Sequence, residues 1–345
     1  MDDPWARFRE YHTKVVSIKL TRHGAGMVRS REWWEWLCTL PTCPPEIFPN
    51  LNRLSVASFI GLNSILPLQL ASRYTRLHIV NFETLNRWDP EDRYTEAKKV
   101  GIIKLFGDLT RVGEGEVGNR VRGLFMGTQL VDEMRVFLPR FTFLEELSVN
   151  LPSPFEVDTF VKIGSIPNLR KLTIFGIRTG YALDHLPRQP SRGQHREKWH
   201  ANQGQARITD LTIYSGPYFV YWATSFFTSP HLKKYKAEVS HGPHVVEDWV
   251  EAVALVPYII DLVIGDRRVM LEELDVGWRM ERPDGRAAKR ALSEREAEMG
   301  SCAFVELPEG FLESFGSAHL EGMKKIALRG FPSFHKDLSL RIMER

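Results

Sequence analysis

Three glycines near the middle of the chain have the spacing of a phosphate-binding loop. Gly113, Gly115 and Gly118 form a G-x-G-x-x-G segment within the stretch GEGEVGNRVRG. Such a loop binds phosphate because bare backbone N–H groups face the anion, after a strand and before a helix. Glu114 and Glu116 would place two negative charges beside the phosphates. We therefore interpret the segment as a flexible loop, and we expect no nucleotide cofactor.

Metal-binding residue types are present, but they do not have the spacing of a zinc site. Cys38 and Cys43 are five positions apart, and three histidines lie in one polar stretch, at His185, His195 and His200. Structural zinc sites use tight cysteine or histidine pairs with a second pair at a set distance. The sequence also lacks the G-x-S-x-G, H-E-x-x-H and P-loop motifs. We expect no metal, no catalytic residue and no enzymatic activity.

Two pairs of adjacent carboxylates have the residue type that acid–base catalysis uses. Glu145–Glu146 and Glu272–Glu273 belong to segments that we interpret as repeat or helix surfaces, so these carboxylates are expected to face solvent. The alternative is an enzyme whose active-site residues are dispersed along the chain. A pocket with convergent groups of shifted pKa would support that alternative.

Composition and charge exclude several classes of protein. The 345 residues include 46 basic and 43 acidic side chains, a net charge of +3, so no overall charge favours nucleic acid or a membrane surface. Three cysteines are too few, and odd in number, for a disulfide framework. The longest apolar stretch, residues 252–264, is broken by Pro257 and Asp261 and is too short to span a bilayer. We expect a soluble protein of the cytoplasm or nucleus, without a membrane partner.

A recurring pattern, L-x-x-L-x-[V/I], predicts the elements that carry the surface residues. Its clearest copies are LNRLSV (51–56), YTRLHI (74–79), LEELSV (144–149), LRKLTI (169–174), ITDLTI (208–213) and IIDLVI (259–264). Looser copies begin at residues 15, 100, 121, 232 and 323. Alternating apolar residues are typical of a short strand with one buried face. From residue 54 to 262 the copies recur every 21–27 residues, apart from one step of 39, which is close to the leucine-rich-repeat period.

Segments before the strands have the apolar spacing of helices. Residues 155–169, 218–232 and 245–258 each carry one apolar face and contain a proline just before the next strand, at Pro167, Pro230 and Pro257. The segment Trp33–Trp36 takes the same place before residues 51–56, so we interpret it as a core-packed helix capped by Ser30, with an aromatic ligand platform as the alternative. The predicted fold is α/β: an irregular leucine-rich-repeat-like solenoid of about eight to ten repeats, with a curved parallel sheet and helices on the convex side.

The predicted organisation is a single solenoid over residues 1–345. Within it we expect an N-terminal helical cap (1–40), a flexible polar insert (184–206), a charged insert (279–303) and a C-terminal cap (304–345). The polar insert contains four cations that could make a weak nucleic-acid site, Arg188, Arg192, Arg196 and Lys198. Alternating charge signs along the strands suit a protein partner better than a phosphate backbone, so nucleic acid is not the expected partner.

Three stretches of the chain resemble the region after the F-box in fungal F-box/leucine-rich-repeat proteins. They are WARFREYHTKVVSIKL (5–20), LPTCPPEIFPNLNRLSV (40–56) and residues 141–176. The shared features are a Trp-x-x-Phe-x-x-Tyr helix before a strand and a Phe-Pro-Asn-Leu-x-x-Leu start to the next repeat. The resemblance implies the target-recognition repeats of a ubiquitin-ligase adaptor. Too few residues precede Trp5 for an F-box, so a Skp-type adaptor is an expected partner only if an F-box exists outside this chain.

Outward-facing strand residues are the candidate partner-binding residues, because a leucine-rich solenoid binds its target on the concave sheet. The candidates are Arg76, His78, Lys171, Thr173, Phe175, Thr212, Tyr214, Lys234 and Lys236. Phe175 and Tyr214 hold the same position in neighbouring repeats. We therefore expect their rings to lie roughly 5 Å apart and to form one apolar patch. The partner itself is an unknown protein.

Overall fold

The computed structural model describes most of the strands that the sequence predicts. The described residues are 10–20, 48–56, 78–82, 103, 106–107, 109–110, 120–129, 132–151, 157–176, 207–241, 255, 258–260, 262–264, 271–280, 322–329 and 338–341. Several predictions concern residues outside these ranges, namely the glycine loop 113–118, the helix at Trp33–Trp36, the polar insert 184–206, most of the charged insert 279–303, and every cysteine.

The chain divides into two compact units. The first unit consists of Met1–Asn150 and Ser165–Leu169, and the second consists of Leu151–Gly164 and Arg170–Arg345. The single solenoid over residues 1–345 and the two terminal caps stay predictions.

Five parallel strands form the described sheet of the first unit, paired in chain order. They are β1 (Ser17–Leu20), β2 (Arg53–Val56), β3 (Ile79–Phe82), β4 (Gly123–Gln129) and β5 (Glu146–Asn150). One buried row crosses β2 to β5, with side chains that have no solvent exposure, Leu54, Val80, Leu124 and Leu147. A short helix, α1 (Asp132–Arg135), and 3-10 turns at His12–Lys14 and Leu138–Arg140 complete the regular elements described here.

The described sheet of the second unit has six strands. They are β6 (Lys171–Phe175), β7 (Asp210–Ser215), β8 (Lys234–His241), β9 (Glu273–Met280), β10 (Lys325–Arg329) and β11 (Leu338–Arg341). Strands β6 to β10 are parallel and follow chain order, whereas β11 pairs antiparallel with β10. An equivalent buried row runs through Leu172, Leu211, Tyr235, Leu274 and Ile326. The predicted α/β class with parallel strands in chain order is confirmed within each unit.

Residue alternation explains why these short segments are strands. Along β7, Leu211 and Ile213 are buried, and Thr212 and Tyr214 between them are only half-buried. A period of two gives a strand one apolar face, and a row of such faces forms a continuous core that no single strand could make. In the β8 copy of this row, the buried Tyr235 replaces leucine, and its hydroxyl is 2.6 Å from the hydroxyl of Thr224.

Two helices in the second unit confirm the predicted segments that end before Pro167 and Pro230. They are α2 (Val157–Gly164) and α3 (Pro217–Phe227), and α3 begins with proline at its first turn, where the missing N–H costs nothing. The buried Phe160 of α2 lies 5.1–5.8 Å, between ring centroids, from three rings of α3, Phe219, Phe226 and Phe227. This aromatic cluster joins the two helices in the core of the unit.

Two predicted strands are wrong. In the segment 259–264, residues 259, 260 and 262–264 are helical, and Ile259, Ile260 and Val263 are buried at the spacing of one helix face. The strand of that repeat is β9, which starts in LEELDV, another copy of the pattern. In the segment 100–105, the described residue 103 is helical, like residues 106–107 and 109–110, because Phe106 and Leu109 supply a helical face. A short apolar run fits both periods, and burial decides between them.

A third predicted strand is displaced along the chain. The segment 74–79 was expected to form a strand with Leu77 and Ile79 inward, but β3 starts only at Ile79. Val80 lies in register with Leu54 and Leu124, and it is the buried residue. The apolar run from Leu77 to Val80 allows either parity, and a shift of one residue reverses which side chains face the core.

A repeated backbone contact occurs at the start of eight parallel strands, β2 to β5 and β7 to β10. Two successive N–H groups donate to one carbonyl of the preceding repeat, at N···O distances of 2.7–3.1 Å. The described residues contain eight such shared carbonyls, on Val16, Asn52, His78, Arg122, Arg170, Thr209, Lys233 and Glu272. In the two Pro-Asn-Leu segments, the side-chain amides of Asn50 and Asn168 donate to the backbone carbonyls of Thr13 and Thr142. Within the described ranges, no helix has the length and apolar character needed to cross a membrane.

Candidate functional site

The outward face of strands β6 to β10 carries polar, charged and aromatic side chains in three rows. We use "outward face" for the side opposite the buried row. The first row alternates in charge: Lys171, Asp210, Lys234, Glu273 and Lys325. The second row begins with two threonines: Thr173, Thr212, Lys236, Asp275 and Ala327. The third row is Phe175, Tyr214, Glu238, Gly277 and Arg329.

Phe175 and Tyr214 form a stacked pair on this face. They are in register on neighbouring strands, their ring centroids are 4.9 Å apart, and their planes differ by 7°. The predicted distance and apolar patch are therefore confirmed. Phe175 is 36% exposed, which is unusual for so large an apolar side chain, whereas Tyr214 is half-buried. Part of the surface of Phe175 is therefore open to solvent.

A lysine covers the side of Tyr214 away from Phe175. The ammonium of Lys236 lies 5.6 Å from the centroid of the Tyr214 ring, within the range of a cation–π contact. Because β7 lies between β6 and β8, Phe175 and Lys236 approach Tyr214 from opposite sides. We call Phe175, Tyr214 and Lys236 the aromatic–cation stack.

Ion pairs occupy the neighbouring strands. Lys234 Nζ donates to Glu273 Oε1 at 2.7 Å, and this carboxylate raises the pKa of Lys234 above its ordinary value. Arg329 donates from Nε at 3.0 Å and from Nη2 at 2.7 Å to Asp275 Oδ1. The guanidinium lies over Gly277, where a Cβ would be 3.6 Å from Nη2, an ordinary contact.

A second charge cluster lies one position before the strands. Glu272 accepts from Lys233, with Nζ–Oε1 at 3.1 Å, and from Lys324, with Nζ–Oε2 at 3.2 Å. Hydrogen bonds from these two ammonium groups lower the pKa of the Glu272 carboxyl. The three acidic side chains of this region, Glu272, Glu273 and Asp275, are thus all neutralised by cations of β8, β10 and the residues just before them.

The structure brings together seven of the nine candidate binding residues. The seven residues that lie on the outward face are Lys171, Thr173, Phe175, Thr212, Tyr214, Lys234 and Lys236. Arg76 lies outside the described residues. His78 was expected within a strand but precedes β3, where its carbonyl accepts from Arg122 and Gly123. The cationic residues of the polar insert, Arg188, Arg192, Arg196 and Lys198, also lie outside the described part of the chain.

Sequence reasoning missed Glu273, Asp275 and Arg329 as members of this face. A signal was present, because LEELDV (271–276) has the same pattern as LEELSV (144–149). The pattern at 259–264 fitted the expected spacing and was preferred to it. No group of three His, Cys, Asp or Glu side chains that could hold a metal ion occurs among the described residues.

The outward face of the first unit differs in chemistry. Its first row is Ser17, Arg53, Ile79, Gly123 and Glu146, and its second row is Lys19, Ser55, Asn81, Phe125 and Ser148. Ser55 belongs to an outward-facing row, yet it is only 8% exposed. A Cβ on Gly123 would lie 3.0 Å from the Phe125 ring, so this ring lies across the glycine.

Comparison with known proteins gives no assignment: no protein-family model and no curated protein matches the sequence.

Proposed function

We propose that this protein is a protein-interaction module that recognises a protein target through the outward face of β6, β7 and β8. In this proposal the fold is an irregular leucine-rich-repeat-like solenoid with a curved sheet and helices on its convex side. The module would serve as the target-recognition repeat domain of an F-box-type ubiquitin-ligase adaptor, in the cytoplasm or nucleus, and would have no enzymatic activity. A Skp-type adaptor would join only through an F-box outside this chain.

The aromatic–cation stack is the observation that carries the proposal. Tyrosine, tryptophan and arginine contribute most of the binding energy at many protein interfaces, and aromatic rings bury a large area at a small cost in conformational entropy. Phe175 is exposed on the outward face, and its ring stacks on Tyr214. The two rings form one apolar patch among charged residues, and such patches favour a role in binding.

The experiment is affinity capture from the native cell with the parent chain and with Phe175→Ala/Tyr214→Ala. Each truncation of a hot-spot residue costs about 1–4 kcal/mol, so the double variant should lose its partner by at least tenfold in affinity. Its melting temperature should stay close to that of the parent, because the pair is on the surface. Co-purification of a Skp-type adaptor would test the ubiquitin-ligase part of the proposal separately.

Phe143→Ala is the matched control. Phe143 is 47% exposed, belongs to the first unit, precedes β5 and is not a member of the aromatic–cation stack. This variant should bind the captured partner as the parent does. Unfolding of the double variant, or binding equal to that of the parent, would show that Phe175 and Tyr214 are packing residues or bystanders.

A further inference from the structure

We infer that the partner segment is acidic: a carboxylate pairs with Lys236 while a neighbouring apolar side chain packs on Phe175. This inference rests on the proposed function and names the chemistry of the target. It follows from which cations the two carboxylates of β9, Glu273 and Asp275, bind within the sheet.

Lys236 does not pair with the carboxylate that lies in register with it in the sheet. Asp275 lies directly in register with Lys236 on the neighbouring strand, at the distance where opposite charges usually pair. Asp275 instead accepts two hydrogen bonds from Arg329, at 3.0 and 2.7 Å, from the strand on its other side. Both donors share one carboxylate oxygen, Oδ1, and hydrogen bonds between a guanidinium and a carboxylate are among the stronger ones in proteins.

The neighbouring lysine of the same strand shows the contrast. Lys234 faces Glu273 in register and forms the expected pair at 2.7 Å. Lys236, two residues further along the same face, makes no ion pair with any residue that the structure describes, and its ammonium rests on the Tyr214 ring. An external carboxylate can therefore bind Lys236 without displacing an existing ion pair.

Nearby acidic residues do not alter this assignment. Asp210 belongs to the first row, between Lys171 and Lys234, rather than to the row of Lys236. Glu238 lies in register with Tyr214 and already has an interaction partner of its own. A carboxylate that approaches Lys236 also gains from the ring contact, because the Tyr214 face holds the ammonium in place and lowers the entropy lost on pairing.

Strand spacing sets the distance between the two anchors on the partner. Neighbouring strands are about 4.8 Å apart, so β8 lies roughly 10 Å from β6 across the sheet. An extended segment advances about 3.3 Å per residue. A segment that crosses the strands with its apolar side chain on Phe175 would meet Lys236 with an acidic residue about two to four positions away.

The test is selection of random displayed peptides on the full-length chain, as the parent and as Lys236→Glu. The parent should retain peptides that carry an acidic residue two to four positions from an aromatic or aliphatic one. Those peptides should bind Lys236→Glu at least tenfold more weakly, and Lys236→Glu should itself select basic residues at that position. Lys236→Met, which keeps the length of the side chain, should bind weakly without selecting basic residues.

Lys325→Glu is the matched control, since Lys325 is an exposed cation of the same face two strands beyond Lys236. It should keep the preference of the parent. Peptides without acidic residues that still require Phe175 and Tyr214 would overturn the inference and leave the proposed function standing. If the parent retained no peptide, or if binding ignored both the lysine and the aromatic residues, the proposed function would fail at this surface together with the inference.

Discussion

The strands of each unit have a buried row of the same kind, and the two units differ in the side chains on their outward faces. Inside, Leu54, Val80, Leu124 and Leu147 of the first unit correspond to Leu172, Leu211, Tyr235, Leu274 and Ile326 of the second. Outside, the first unit carries Ile79, Gly123 and a ring folded across that glycine, and the second unit carries alternating charges and an exposed aromatic stack.

This difference distinguishes the buried residues, which maintain the fold, from the outward residues, which can vary without disrupting it. A buried row must repeat the same size and polarity in every strand, because each residue packs on both neighbours. An outward row has no such constraint, so its chemistry reports on the partner. The contrast thus supports the proposal that the second unit carries the recognition surface, because packing does not explain its outward side chains.

The largest expected effects test whether the buried rows are equivalent. Leu147→Ala in the first unit and Leu211→Ala in the second should each lower the free energy of unfolding by about 2–5 kcal/mol, because both leucines are fully buried. Denaturant titration measures the loss. Thr212→Ala, next to Leu211 on the outward face, is the control and should change stability by less than about 0.5 kcal/mol. A large difference between the two leucines would disprove the equivalence.

Two glycines of the second unit sharpen the contrast between core and outward face. A Cβ on Gly176 would lie 2.7 Å from the Phe219 ring, so Gly176→Ala should cost about 1–3 kcal/mol through overpacking. A Cβ on Gly277 would meet only ordinary contacts, at 3.6 Å from Arg329 Nη2, so Gly277→Ala should change stability far less. Thermal unfolding of the two variants under identical conditions decides the order, and equal losses would contradict it.

The smallest expected effect concerns the charge cluster at Glu272. Its pKa is lowered by Lys233 and Lys324, so the ion pairs stabilise the folded chain above the ordinary pKa of a glutamate. That contribution is lost as the pH falls through the ordinary value toward the lowered one. Glu272→Gln should therefore be slightly less stable than the parent at neutral pH, and the two stabilities should converge in acid. Melting curves at several pH values test this, and 1 M salt should shrink the difference.

Local sequence pattern predicted the strands wherever alternation was unambiguous. LEELSV, LRKLTI and ITDLTI contain single apolar residues between polar ones, and β5, β6 and β7 lie where they were expected. IIDLVI failed because adjacent apolar residues fit a helix equally well, and only the burial of Ile259, Ile260 and Val263 resolves the choice.

Contacts in the candidate site were predictable only between neighbouring strands whose sequence patterns show which residues lie in register. Phe175 and Tyr214 belong to strands with matching patterns, so their contact followed from strand geometry. The pair Lys234–Glu273 joins residues 39 positions apart, and Arg329–Asp275 joins residues 54 apart, and the strand that carries Glu273 and Asp275 was expected at 259–264 instead. Lys236 makes no ion pair with any residue that the structure describes, because Asp275 bonds to Arg329, so this feature depends on the pairing of β9 with β10.

The eight shared carbonyls hold the starts of their strands in register through backbone hydrogen bonds. Seven residue types supply such a carbonyl: valine, asparagine, histidine, arginine, threonine, lysine and glutamate. The alignment of one repeat on the preceding one therefore comes from backbone groups and does not depend on the side chain. These hydrogen bonds can therefore keep neighbouring strands aligned when the side chain at the carbonyl position changes, provided that proline does not replace a donor. Evolution, or a protein engineer, could vary these eight positions and leave the pairing of the described strands unchanged.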